Sequence, residues 1–302
     1  MRNLDPDRSI HRVLVLLDVT SDHAAALDAA AALATGLDAQ LVALFAEDQQ
    51  LNQLECHPLV RAIDLPTGMG RSIGPGTMRH GWKALVRRTQ RRLMRLSQRH
   101  QLEVGVEFVR GNVSTEIGKY IRRADLLVVE SAGRCVTHHV RLRSKGHVLA
   151  HGLSGPVLFA GPRTRELRSA ALLYNRTSEA QRGLEMALRL AADRPIMLTL
   201  ILAGDSDRHI RELEQWATKR VREIGARISL HVRRITCCET TELIEVATNV
   251  HANLVMVPDS SEYPTDEDIE RLTARLNCPL LLLRGGDEEG RETMMKKVTQ
   301  QT

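Results

Sequence analysis

Apolar residues on consecutive positions mark the interior strands of this chain. The run 125–130, Asp-Leu-Leu-Val-Val-Glu, stops abruptly in a loop of small residues, Ser131-Ala132-Gly133. The run 253–257 has the same shape and stops in Pro258-Asp259-Ser260-Ser261. A run apolar on successive positions predicts a strand covered on both faces, as in a parallel sheet between helices. Each run follows a helix-like segment, 114–123 and 239–250. Each is followed in turn by a further apolar run, 155–160 and 278–283. Two matching blocks predict an internal duplication.

Taken in order, the pattern predicts a strand at 12–17, a helix at 23–35 and a strand at 40–46. Ser21 or Asp22 is placed to cap the first helix. Gly36 is placed to end it in a left-handed conformation. A basic helix at 82–100 follows, then a strand at 103–110, a helix at 114–123 and the strand 125–130. A short helix at 144–151 and a strand at 156–160 complete the first half. The second half repeats the alternation, with strands at 170–174, 196–203, 227–235, 254–257 and 280–283. Its helices are expected at 178–192, 207–224, 239–250 and 265–276. Thr265-x-x-Asp268 has the spacing of a capping box, with aspartate in the usual glutamate place.

The stretch 47–81 breaks this rhythm. Seven glycines and prolines, from Pro58 to Gly76, interrupt any period. A lid, a partner-contacting arm or a mobile insertion would each account for it. Strand–helix–strand units of these lengths give right-handed crossovers and a parallel sheet with helices on both faces. The expected division is a first domain at 1–163 with the insertion at 47–81, a second at 168–285, and a polar tail at 286–302. A length of 302 residues agrees with two domains.

Composition narrows the function. The chain is 43% hydrophobic but only 3% aromatic, so its cores are aliphatic and stacking platforms for single-stranded nucleic acid are few. A net charge of +5 permits an acidic partner without requiring one. Within 82–100, Arg87, Arg91, Arg95 and Arg99 recur every fourth position and share a face, with Leu85, Thr89, Leu93 and Leu96 opposite. That face is a solvated surface or a site for phosphates or an acidic partner. Five cysteines without paired spacing suit a reducing cytoplasm, and neither a secretory signal nor a membrane span is expected.

The ordered series of motifs resembles the universal stress protein family in its tandem form. The matching pieces are Val13-Leu-Val-Leu-Leu-Asp18-Val-Thr-Ser21, Gly111-Asn-Val-Ser-Thr-Glu116-Ile, Ala124-Asp-Leu-Leu-Val-Val-Glu-Ser131 and Gly155-Pro-Val-Leu158. The second half repeats them as Ala171-Leu-Leu-Tyr-Asn175, Thr240-Thr-Glu-Leu-Ile244, Ala252-Asn-Leu-Val-Met-Val257 and Cys278-Pro-Leu-Leu281. The resemblance implies an α/β fold of two tandem Rossmann-like domains of the adenine nucleotide alpha hydrolase-like kind. Each would be a five-stranded parallel sheet with helices on both faces.

In that family the loop after the fourth strand often reads Gly-x-x-Gly, nine residues, then Gly-Ser or Gly-Thr, and members with this loop intact bind ATP. Glycines let backbone N–H groups approach phosphate oxygens. Here the register puts Glu130 at the first glycine, Gly133 at the second, Arg143 at the third and Ser144 at the hydroxyl. The resemblance places Asp18 and Val19 beside the adenosine and Ala46 beside the base. The second half keeps no glycine in Pro258-Asp259-Ser260-Ser261. The ATP site is therefore expected to be lost in the second half and weakened or redirected in the first. No cofactor is expected, ATP in the first domain being the alternative.

Other chemistry has less support. Cys135, His138, His139, His147 and His151 lack zinc spacing, and Cys237-Cys238 is a vicinal pair more often packed than redox-active. Neither a Gly-x-Ser-x-Gly elbow nor a Gly-x-x-x-x-Gly-Lys-Ser/Thr loop occurs. Asp18 by itself does not make a phospho-receiver site. The expectation is a non-enzymatic stress-response protein acting by binding. The alternative is an ATP-binding switch or slow ATPase using the first domain. Expected partners are an unidentified protein, the two domains for each other and, optionally, a second copy; membrane and nucleic acid are not expected.

Overall fold

Alternating buried strands and amphipathic helices give a computed structural model with twelve described strands and six described helices. It describes residues 10–17, 23–48, 61–63, 70–72, 77–111, 125–130, 155–161, 167–191, 195–203, 207–224, 228–235, 239–260 and 263–284. The first half holds β1 (Arg12–Leu17), α1 (Ala24–Leu37), β2 (Gln40–Asp48), β3 (Arg61–Ile63), β4 (Gly70–Ser72), α2 (Thr77–His100), β5 (Val104–Gly111), β6 (Asp125–Glu130) and β7 (Val157–Ala160). The second holds β8 (Ser169–Leu173), α3 (Ser178–Leu190), β9 (Ile196–Ala203), α4 (Asp207–Ile224), β10 (Ile228–Ile235), α5 (Thr240–Asn249), β11 (Leu254–Pro258), α6 (Asp266–Arg275) and β12 (Leu280–Leu283). The helices expected at 114–123 and 144–151 lie outside the described residues.

Ten of the described strands form one sheet in the order β10-β9-β8-β11-β12-β7-β6-β1-β2-β5. Read inward from either end, the two halves present the same order, with β5, β2, β1, β6 and β7 answering β10, β9, β8, β11 and β12. Within this sheet every pairing inside a half is parallel. The halves meet where β7 pairs antiparallel with β12, Leu158 opposite Leu281. That antiparallel seam is the two-fold relation between the repeats expressed as backbone hydrogen bonds.

The consecutive apolar runs are explained by burial on both sides. In β6, Leu126 and Val128 join one core cluster, and Leu127 and Val129 join the other. Leu14, Leu126 and Leu158 are fully enclosed, and a leucine so buried contributes roughly 1.5–3 kcal/mol of transfer free energy. In the second half, α3 and α4 contribute to one cluster while α5 and α6 contribute to the other, so both faces are covered.

Two local expectations are corrected. First, α1 runs through Gly36 and ends on Asp38, whose φ of 54° takes the left-handed position. Gly36 serves a different need: a Cβ there would sit 2.7 Å from Leu190 Cδ2 of α3. The glycine allows close approach of helices from opposite halves, and aspartate tolerates the left-handed turn. Second, the stretch 47–81 is not wholly irregular. β2 extends to Asp48, β3 and β4 pair antiparallel, and α2 begins at Thr77. The arginine helix has an acidic contact on another element: Arg92 donates to Asp28 of α1 at 2.6 Å. Both groups are near a third exposed, so the pair contributes at most about 1 kcal/mol. The capping box at Thr265 and Asp268 forms as expected.

Candidate functional site

In a sheet of this kind the carboxyl ends of the strands, together with helix N-termini, make the natural place for a ligand. In the first half those ends belong to β1, β2 and β6. β1 stops at Leu17, and α1 starts with His23 in the N-cap position. His23 makes no side-chain capping bond to the helix, although its carbonyl accepts from the Leu27 N–H at 3.0 Å. Its ring is nearly enclosed, at 5% exposure, and Nδ1 lies 3.4 Å from Glu130 Oε2 at the end of β6. That contact is at ion-pair distance without hydrogen-bond alignment.

The consequence is electrostatic. Unpaired N–H groups give the head of a helix a partial positive charge that attracts anions. Here a carboxylate of the protein itself is held beside the head of α1. A phosphate brought to about 4 Å from it would meet roughly 4 kcal/mol of repulsion per unit charge at an effective dielectric of 20.

In the second half the described residues after β8 and β11 bond to one another. After β8, Tyr174 is fully buried and stacks on Trp216 of α4 with ring centroids 6.0 Å apart. Burial raises its phenol above the ordinary value, against the smaller opposing pull of Arg176. Asn175 Oδ1 accepts from the Thr177 N–H at 3.2 Å and from its hydroxyl at 2.7 Å. Thr177 Oγ1 in turn accepts from the Ala180 N–H at 3.2 Å to cap α3. After β11, Asp259 is ion-paired with Arg284, both largely buried. Arg182 Nη1 donates to the Arg284 carbonyl at 3.2 Å, and the Asp259 N–H donates to Leu283 O at 2.9 Å. Ser260 donates through N–H and hydroxyl to the Tyr263 carbonyl. Among the described residues, Asn175, Asp259 and Ser260 thus bond within the protein, while the Tyr174 hydroxyl, Arg182 Nε and Arg284 Nη1 are buried without a hydrogen-bond partner.

Of the residues the sequence pointed to, Ala46 lies in β2, opposite Val109 of β5. Asp18, Val19, Gly133 and Ser144 lie outside the described residues, as do Arg143, Cys135, His138, His139, His147, His151, Cys237 and Cys238. Among the described residues no group of three or more His, Cys, Asp or Glu side chains could hold a metal ion. Burial pushes the Cys278 thiol up to about 12, so it is protonated at neutral pH and a poor nucleophile. No described helix is long and apolar enough to cross a membrane. The residue that sequence reasoning missed is His23; its only signal was its place at the start of an alanine-rich helix.

No protein-family model and no curated protein sequence matches this chain. Its fold, in contrast, has clear relatives: it is an α/β protein of two Rossmann-like repeats, and solved structures share it end to end. A universal stress protein from Archaeoglobus fulgidus DSM 4304 superposes with a TM-score of 0.64 at 15% identity, over 93% of this chain and 98% of that one. A protein assigned to the universal stress proteins from Pseudomonas aeruginosa UCBPP-PA14 gives 0.56 at 15% identity, over 92% and 95%. A protein of unknown function from Pseudomonas aeruginosa PAO1 gives 0.53 at 14% identity, over 98% and 99%. Across nearly its whole length, then, the chain has the fold of the universal stress proteins in tandem form.

Proposed function

We propose that this protein is a non-enzymatic, cytoplasmic stress-response protein whose two repeats, 1–163 and 168–285, form a scaffold acting by contact with a partner. In this reading the nucleotide site of the first repeat is impaired and that of the second is lost. The observation that supports it most is the contact between Glu130 and His23. The place where a helix N-terminus would draw a phosphate already faces a carboxylate. The Asp259–Arg284 pair and the bonds from Ser260 to the Tyr263 carbonyl support loss of the second site. A cysteine such as Cys278, free and half-buried, suits a reducing compartment.

Calorimetric titration of the full-length protein with magnesium–ATP tests the reading. The expected result is no saturable heat up to roughly millimolar nucleotide, a free energy of binding weaker than about 4 kcal/mol. Saturable micromolar binding that Asp18→Ala abolishes would instead make the first repeat a nucleotide-dependent switch or slow ATPase.

A further inference from the structure

Duplication supplies an internal control for the basic helix. α2 and α4 occupy equivalent places, each linking the strand beside the repeat's central strand to the edge strand. Both bury one face against the same side of the sheet, through Leu93 and Leu96 in α2 and through Leu213 and Ala217 in α4. Their outer faces differ. α4 carries five Lys or Arg and four Asp or Glu, and its charges pair along the helix, Arg208 with Glu212 and Arg220 with Glu223. α2 carries eight Lys or Arg and no acidic residue. The fold needs an amphipathic helix at this place, but the balanced α4 shows that it does not need a row of like charges. Such a row is self-repelling at i,i+4 spacing.

Lys83, Arg87, Arg91, Arg95 and Arg99 are all exposed, and none pairs with a described carboxylate. In the middle of the row sits Met94, 65% exposed, one of two large apolar side chains left open among the described residues. An apolar centre ringed by arginines is the anatomy of a protein interface, where Met and Arg are enriched and lysine is depleted. A phosphate backbone would have no use for Met94. A bilayer surface would receive only that one apolar group from a helix whose other apolar face is spent on the core. Carboxylates on a partner helix, spaced every fourth residue, advance by about 6 Å per step, as these arginines do.

We infer that the outer face of α2 is a docking surface for an acidic helical segment of a partner protein, with Met94 covered by an apolar residue of that segment. This inference is independent of whether nucleotide binds the first repeat.

The test uses the full-length protein and a fluorescent synthetic helical peptide with glutamate at every fourth position and leucine midway, followed by anisotropy at about 50 and 300 mM salt. Two further probes are a random-sequence DNA duplex and vesicles containing phosphatidylserine. The peptide is expected to bind at low salt and to weaken at high salt. Arg91→Glu with Arg95→Glu should weaken it roughly tenfold or more. Met94→Ala should weaken it roughly fivefold while leaving the salt dependence unchanged. These side chains are exposed, so circular dichroism and melting should stay as in the wild type. Absent peptide binding, or an effect of the arginine changes without any effect of Met94→Ala, overturns the inference. So does tighter binding of the duplex or the vesicles that the arginine changes abolish.

Discussion

Gly161 is where the seam between the repeats is most sensitive. It follows β7 directly, and a Cβ built on it would lie 2.9 Å from the Cys278 carbonyl carbon, 3.1 Å from its oxygen and 3.1 Å from Pro279 N. These are backbone atoms just before β12, so no side-chain rotation relieves the clash. Gly161→Ala must push the chain before β12 away from the end of β7 and strain the antiparallel pairing that joins the halves. Overpacking of this kind costs about 1–3 kcal/mol. At roughly 2 °C per kcal/mol for a chain of this size, melting should fall by about 2–6 °C. Gly105→Ala is the control. It lies in edge strand β5, where the nearest neighbour of a new Cβ is a Val42 side-chain carbon at 3.4 Å. That substitution should be neutral or slightly stabilising, because alanine narrows the unfolded ensemble. Urea unfolding followed by circular dichroism measures both. If Gly161→Ala is as harmless as Gly105→Ala, the halves do not meet at the seam described.

Two other substitutions probe the second repeat. Thr265→Ala removes the capping box of α6, which should cost about 1 kcal/mol at neutral pH. Burial acts to raise the Asp268 carboxyl, but hydrogen bonds from Thr240 and Thr265 and the charge of Arg271 outweigh it and hold the group below its ordinary value of 3.8. A depressed carboxyl stabilises the fold above its unfolded pKa and loses that contribution as pH falls through its folded one. The gap in urea midpoint between wild type and Thr265→Ala should therefore narrow as pH drops below about 4, and a gap independent of pH would refute the role of the Asp268 carboxylate. Asp259→Ala strands the largely buried Arg284 and should cost about 3 kcal/mol by thermal melting; a loss under about 0.5 kcal/mol would show that the pair does not close the loop after β11.

The parts of the fold legible in the sequence were those where one rule dominates. Strands β1, β9 and β12 and helix α4 begin and end where hydrophobic periodicity puts them, because each is framed by abrupt changes in polarity. Gly36 was misread because a glycine near a helix end has two uses. Only the position of Leu190, far along the chain, shows that close packing is the one in force. The β7–β12 seam has no sequence signal, since any buried apolar strand could pair with either neighbour. For the site, Glu130 was legible as an acid in place of a glycine. Its partner His23 was not, because folding alone brings together positions so distant in sequence. The commitment of Asn175 to Thr177 was similarly invisible: the same residue types would suit either a capping turn or a ligand.

The central claim is that the carboxylate at the end of β6 makes the mouth of the first repeat inhospitable to phosphate. Its most direct test is magnesium–ATP affinity measured side by side for the wild type and Glu130→Gly. Removing one like charge near the phosphate path should tighten binding at least tenfold, from about 1.4 kcal/mol or more of relieved repulsion. Equal affinities for the two proteins, or micromolar binding by the wild type that Glu130→Gly fails to improve, would contradict the account.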